Sequence, residues 1–334
     1  MTHDRRSKSG RRPDRRDDGD DTAADRIVDA LDRWPAGMHD LGEPTIELPH
    51  DWPPAVVDVY LTMGGGRLFG DTIVLHPASE LPPPDDHGLT VCGTLDEEPI
   101  WFDRKGRVWR EDPDTGDRYI DGTALDRWLL GAIEAAALLF DADGEFAEDA
   151  FTDDGELTPA IAMARARAQV KRDGKAPGPR WRLARLLATD GELAVARREL
   201  ELVVEHAPML AWAWLDLARI SERLGELAGA LDEARAAADA DPAHEQRGYF
   251  LAEAARLAGI AGQAATQLEL ATQALALDPG LVRAQTAGAD DRLGEGDVEA
   301  AAHLAALAKA LAPRDVTVLD LVRRVEAARV AGEN

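Results

Sequence analysis

Pro208, Pro242, Pro279 and Pro313 stand 34, 37 and 34 residues apart, and each closes a segment rich in small and apolar residues: VVEHA, AADAD, ALALD and AKALA. A fixed period of this length marks stacked supersecondary units, none of which can bury its apolar face alone. Aligned on these prolines, Ala184 and Ala196, Ala218 and Ala230, and Ala289 and Ala301 fall where paired helices must approach closely. The spacing predicts, over 181–334, four helical hairpins plus a closing helix at 314–331 that covers the last apolar face. The third unit carries three extra residues, so its register stays open.

Units of this period resemble tetratricopeptide repeats. The resemblance implies an all-α solenoid whose concave groove is lined by the first helix of each hairpin, at positions 2, 5, 9, 12 and 13 of the unit. Carried onto this chain, the groove would take Trp181 and Arg185 from a unit starting at 177, and Trp212, Leu215, Arg219 and Arg223 from one starting at 211. Tyr249 and Arg256 would follow from the third unit in either register, and Arg283 from the fourth. Guanidinium forks hold carboxylates bidentately, and aromatic anchors carry most interface energy. The expected guest is an acidic peptide or tail, and the acidic half of the same chain is an intramolecular candidate.

Charge divides the 334 residues unevenly. Residues 1–21 hold 7 basic and 6 acidic groups, residues 22–160 hold 9 and 31, and residues 161–334 hold 22 and 26, giving nets of +1, −22 and −4 within the overall −25. A field as negative as that of the middle segment repels nucleic acid and steers cationic partners. Residues 1–22 interleave Arg and Asp without apolar periodicity and read as a disordered charged tail. No window approaches the ~18 consecutive apolar residues of a membrane span. No apolar stretch follows the early arginines, and Cys92 is the only cysteine, so a cytoplasmic setting is expected.

Over 23–160 the pattern is α+β, with a mostly antiparallel sheet and helices. Helices are expected near 23–33, 53–63 and 123–140, the last capped by Thr123 with Leu125, Trp128, Leu129 and Ile133 on its apolar face. Strands are expected at 67–75, 89–94, 99–102 and 107–111, with DRKG at 103–106 as a hairpin turn. Residues 161–180 read as a helix and linker ending in a Gly/Pro hinge.

Several pieces in this order resemble the SUKH (Smi/Knr-like) superfamily: Leu48 and Pro49; Tyr60 before Gly64, Gly65 and Gly66; Phe69 and Gly70; Leu75, Pro77 and Leu81; Trp101, Asp103, Gly106 and Val108; and Trp128. Met63 before the glycines and the LPPPDD segment at 81–86 depart from that pattern. The resemblance implies an immunity-type protein that binds and blocks a polymorphic toxin, often a nuclease. Asp85, Asp86, Glu97, Glu98, Asp112 and Asp114, all in expected loops, would face its basic surface.

The residues themselves offer little chemistry. Gly64–Gly66 precede a strand without GK[ST], so they read as a tight turn rather than a phosphate cradle. DADGEF at 141–146 lacks both end ligands of a calcium loop and reads as an acidic turn. The eight histidines form no HxH or HExxH, and Ser7, Ser9, Ser79 and Ser221 lie outside GxSxG. No catalytic, cofactor or metal site is expected. The expected partner is a protein: a basic toxin domain on the acidic half, or, in an adaptor reading, an acidic peptide in the repeat groove.

Overall fold

Seven short strands of the first half pair with their chain neighbours in one antiparallel meander. They are β1 (His39–Leu41), β2 (Gly66–Leu68), β3 (Ile73–Leu75), β4 (Leu89–Leu95), β5 (Glu98–Asp103), β6 (Val108–Glu111) and β7 (Arg118–Gly122). The computed structural model describes residues 23–332 apart from Ala36 and Ile46, so the expected charged tail lies outside the described residues.

Three helices, α1 (Ala23–Leu31), α2 (Pro54–Met63) and α3 (Leu125–Ala137), enclose the core of this half. Leu125, Trp128, Leu129 and Ile133 of α3 are all buried, as the helical spacing predicts. The sequence reading needs two corrections here. The expected strand at 67–75 is a hairpin, because Phe69, Gly70 and Asp71 take left-handed φ values of 53°, 58° and 77°. This turn drives Phe69 into the core, between the rings of Trp34 and Phe140. Thr123 does not cap α3, whose N-cap is Ala124. Its backbone N–H and hydroxyl instead donate to Asp173 at 2.6 and 2.8 Å. The strands β1 and β7 were not anticipated; β1 is three residues long and half-exposed, too short to show an alternating pattern.

The DRKG turn forms as expected, with Gly106 N–H donating to the Asp103 carbonyl at 2.9 Å. DADGEF is an acidic turn closed by backbone N–H bonds from Asp143 and Glu145 to Asp141, at 2.9 and 3.1 Å.

Helix α4 (Pro159–Arg172) packs on α3 and leads into α5 (Pro177–Thr189). The Gly/Pro hinge is therefore absent. Pro177 occupies the first turn of α5, where its missing N–H costs nothing, and only Asp173–Ala176 separate the helices.

Four hairpins follow: α5 with α6 (Leu193–His206), α7 (Ala211–Arg223) with α8 (Leu227–Ala240), α9 (Arg247–Ile260) with α10 (Ala264–Leu277), and α11 (Leu281–Glu295) with α12 (Val298–Leu311). Helix α13 (Val316–Gly332) closes the array through buried Val318, Leu321 and Val325. The six alanines aligned from the proline period, from Ala184 to Ala301, are each 0 % exposed. Each hairpin turns on a glycine with left-handed φ: Gly191 (86°), Gly225 (82°), Gly262 (72°) and Gly296 (84°). Such φ values strain any residue carrying a Cβ.

Gly262 lies 20 residues after Pro242, whereas Gly225 and Gly296 lie 17 after Pro208 and Pro279. The three extra residues of the third unit therefore fall between α8 and α9, where they form a loop that carries His244. The fourth hairpin is also unusual, since α12 packs along α9 and α10 while α11 lies against α12 and α13.

Candidate functional site

The turn joining β6 to β7 is built from EDPDTGDR, and its first aspartate organises it. Asp112 Oδ1 accepts the backbone N–H groups of Asp114 and Thr115, both at 3.1 Å. Gly116 N–H closes the turn on the Asp112 carbonyl at 2.8 Å. Local hydrogen bonds of this kind preset a loop before it meets anything else. The remaining carboxylate oxygens then point at the repeat array.

Arg185 on α5 donates to Asp112 Oδ2 at 3.0 Å and to Asp114 Oδ2 at 2.8 Å, so one guanidinium grips two carboxylates of the turn. Trp212 at the start of α7 donates its indole N–H to Asp117 Oδ2. His244 Nε2 lies 2.9 Å from the same oxygen. Gln246 N–H donates to His244 Nδ1 at 3.0 Å, which leaves the ring proton on Nε2 and makes it the donor to Asp117. The acidic turn is thus held by the first hairpin, the second, and the inserted loop of the third.

Beneath the turn the two halves share buried contacts. Arg182 donates to Tyr119 Oη at 2.9 Å and to fully buried Asp121 at 2.6 Å, while Trp128 donates to the other Asp121 oxygen at 2.8 Å. Burial alone would raise the Asp121 pKa, but Arg182, Arg110 and these hydrogen bonds outweigh it and hold the carboxyl below its usual range. Gly178 lets α5 approach, because a Cβ there would stand 2.6 Å from the Tyr119 ring.

Most of the other groove residues expected from the repeat pattern are buried or bonded within the array, while Arg223 and Arg283 are exposed. Trp181 is buried, its edge on Tyr119 and its indole N–H on Asp216 at 2.8 Å, and Leu215 is buried in the repeat core. Arg256 makes a bidentate pair with Glu222, 2.6 Å on each side, and bonds Glu253 at 2.9 Å. Arg219 donates to Tyr249 Oη at 2.9 Å, and Tyr249 donates to Glu253 at 3.0 Å. Arg223 donates to the Ala188 carbonyl at 3.0 Å. His303 of α12 completes the ring, 2.8 Å from Glu253. Burial would raise the Glu253 pKa, yet the His303 hydrogen bond and the charges of His303, Arg256 and Arg219 drive it far below the usual carboxylate range. Arg283 sits exposed on α11, away from this ring, because the fourth hairpin docks through α12.

Of the acidic residues expected to face a basic partner, Asp112 and Asp114 are taken up by Arg185. Asp85 accepts the backbone N–H groups of His87 and Leu89, both at 2.9 Å, and pairs with Arg118 at 2.6 Å. Asp86, Glu97 and Glu98 stay exposed.

The residues carrying the SUKH resemblance hold structure. Pro49 is exposed ahead of α2, and Tyr60 is buried against Trp52. Gly64, Gly65 and Gly66 make the turn from α2 into β2. Trp101 lies under the Arg118 guanidinium, 4.4 Å from it. Asp103 accepts the N–H groups of Lys105 and Arg107 within the turn that Gly106 completes, and Trp128 anchors Asp121. Cys92 is fully buried in the sheet, which pushes its thiol up to about 12 and removes it as a nucleophile. Among the described residues, no three His, Cys, Asp or Glu gather as metal ligands, and no helix is long and apolar enough to cross a membrane.

Asp117, His244, Asp121, Arg182, Glu253 and His303 were missed by sequence reasoning. One signal was present: the three-residue insertion in an otherwise regular period is what places His244 opposite Asp117.

No protein-family model matches the chain, and no curated protein matches it. Solved structures do. A crystal structure of MamA matches at 14% identity and a TM-score of 0.35, covering 52% of this chain and 91% of that one. YrrB, described as a TPR protein with an unusual peptide-binding site, matches at 16% identity and 0.33, covering 49% and 83%. TTC0263, described as a thermophilic TPR protein in Thermus thermophilus, matches at 22% and 0.33, covering 52% and 91%.

Proposed function

We propose that this chain is a non-enzymatic, protein-binding repeat scaffold whose groove entrance is held by its own acidic turn and opens to an acidic segment of a partner. The observation that supports the reading is the seating of Asp112, Asp114 and Asp117 on Arg185, Trp212 and His244. These carboxylates fill the place of the acidic guest that the repeat pattern calls for. A tethered guest enjoys a high effective concentration, so an external one of similar chemistry binds only when the tether is weakened or the guest is longer. Such competition is a regulatory device, and it suits an adaptor better than a constitutive clamp.

The toxin-neutralising reading is less well served. Asp112 and Asp114 already have intramolecular partners, and Asp85 is committed to its own loop and to Arg118. That reading retains only Asp86, Glu97 and Glu98.

The test uses a fluorescent peptide of sequence EDPDTGDR and anisotropy. The full chain should bind it weakly. Asp114→Asn with Asp117→Asn, which keeps the turn but removes two seated charges, should tighten binding by about tenfold. Adding Arg185→Ala should cancel the gain. If the doubly substituted chain binds no better than the wild type, the competition reading is wrong.

A further inference from the structure

Where the sheet meets α4 and α5, the two halves enclose a cleft of about 460 Å³ that the loop seat does not fill. Its lining carries four arginines, Arg110 from β6, Arg165 from α4, and Arg182 and Arg185 from α5, with one carboxylate, Asp96. Leu95, Leu157, Ala162 and Leu186 add apolar surface to it. Four guanidinium groups around one cavity, in a chain of net charge −25, raise the question of what each one pairs with.

Three of them are satisfied. Arg165 straddles both oxygens of Asp96 at 3.0 and 2.9 Å. Arg182 is divided among Asp121, Tyr119 and Gln169, and Arg185 holds Asp112 and Asp114. Arg110 differs. Its Nε is buried and meets no hydrogen-bond partner, and its side chain meets Asp121 by charge at a distance, with no close ion pair among the described residues. Asp121 feels the Arg110 charge, but its two oxygens already accept from Arg182 and Trp128. The buried Nε is out of a ligand's reach, but Arg110 lines the cleft, and a planar guanidinium matches a carboxylate or phosphate edge.

We infer that this cleft is a binding site for a small organic oxyanion, with the anionic group on Arg110 and an apolar body against Leu95, Leu157, Ala162 and Leu186. The size suits it, since ligand pockets of a few hundred Å³ enclose most of a small molecule's surface. The chemistry also fits, because one unpaired guanidinium calls for one anionic group and the leucine-lined wall calls for carbon. The cleft shares Arg185 with the seated turn, but Arg110 takes no part in seating it. Its ligand would bridge the sheet and the first hairpin.

Isothermal titration of the full chain tests this with hexanoate, phenyl phosphate and, as a neutral control, hexanol. At least one of the anions should bind, with hexanol at least tenfold weaker. Binding of hexanoate alone marks a carboxylate site, and of phenyl phosphate alone a phosphate-ester site. Arg110→Gln should weaken the bound anion by about tenfold or more. Ala162→Leu fills the cleft without touching an arginine and should abolish binding with an unchanged melting temperature. The inference fails if neither anion binds, if hexanol binds equally, or if both substituted chains retain wild-type affinity.

Discussion

Trp212 donates its indole N–H to Asp117 across 95 residues of sequence, and that bond joins the tip of a β-hairpin to the first turn of a repeat helix. The same carboxylate accepts from His244, which stands in the one insertion that breaks the 34-residue period. A sheet turn and a repeat irregularity are thereby parts of a single contact.

Trp212→Phe keeps an aromatic ring against Phe250 and removes the donor to Asp117. A hydrogen bond to a charged group is worth about 1.5–3 kcal/mol, so the seated turn should open roughly ten times more often. Limited proteolysis within 112–118 reads this, and an unchanged cleavage rate would show that the bond does not hold the turn.

Deleting residues 244–246 restores the regular period and removes the His244 contact. The hairpins should remain folded, with helical content unchanged by circular dichroism. The seated turn loses one of its holds, so limited proteolysis within 112–118 should quicken, and an unchanged rate would show that His244 does not hold it.

Glu253→Gln would leave Arg256, Arg219 and His303 around an uncharged group. Removing one partner of a buried ionic network costs about 3–5 kcal/mol, which urea denaturation would detect. The pH dependence has a definite sign. The folded-state pKa of Glu253 lies below its ordinary value of 4.5, so its contribution is fully present above that value and declines as pH falls through the folded pKa. The stability gap between wild type and Glu253→Gln should thus stay constant from neutrality to about pH 5 and narrow only in stronger acid.

Gly178→Ala inserts a methyl group between Tyr119 and Asp121, and overpacking of a close contact typically costs about 1–3 kcal/mol. The loss should appear as weaker docking of α5 on β7. Limited proteolysis near 173–176 would then quicken, whereas cleavage rates at the far hairpins would not change.

Cys92 should resist iodoacetamide at about pH 8, because burial pushes the native thiol up to about 12, and should react at once in denaturant. Rapid labelling of the folded chain would contradict its burial in the sheet.

The repeat half was legible because its determinants are local and periodic. Proline spacing, small residues such as Ala184 and Ala218 at helix crossings, and a 3.6-residue apolar rhythm each act within one unit and recur in the next. The DRKG turn and the buried face of α3 were legible for the same reason. The run at 67–75 misled because Phe69 continues an apolar pattern while its backbone turns to reach the core. Thr123 misled because a helix-capping residue and a partner for Asp173 look alike in sequence.

Sequence alone determined that this chain carries helical hairpins and an acidic α+β half. Only the tertiary structure decided which charges pair. Arg256 and Arg219 serve Glu222 and Glu253, Arg185 serves Asp112 and Asp114, and Arg110 Nε is left without a hydrogen-bond partner among the described residues. Helical periodicity is set by neighbours three or four residues away, whereas a guanidinium chooses among carboxylates that lie 34 or 73 residues distant. Which of them comes within hydrogen-bond reach depends on how whole elements dock, and no local pattern encodes that.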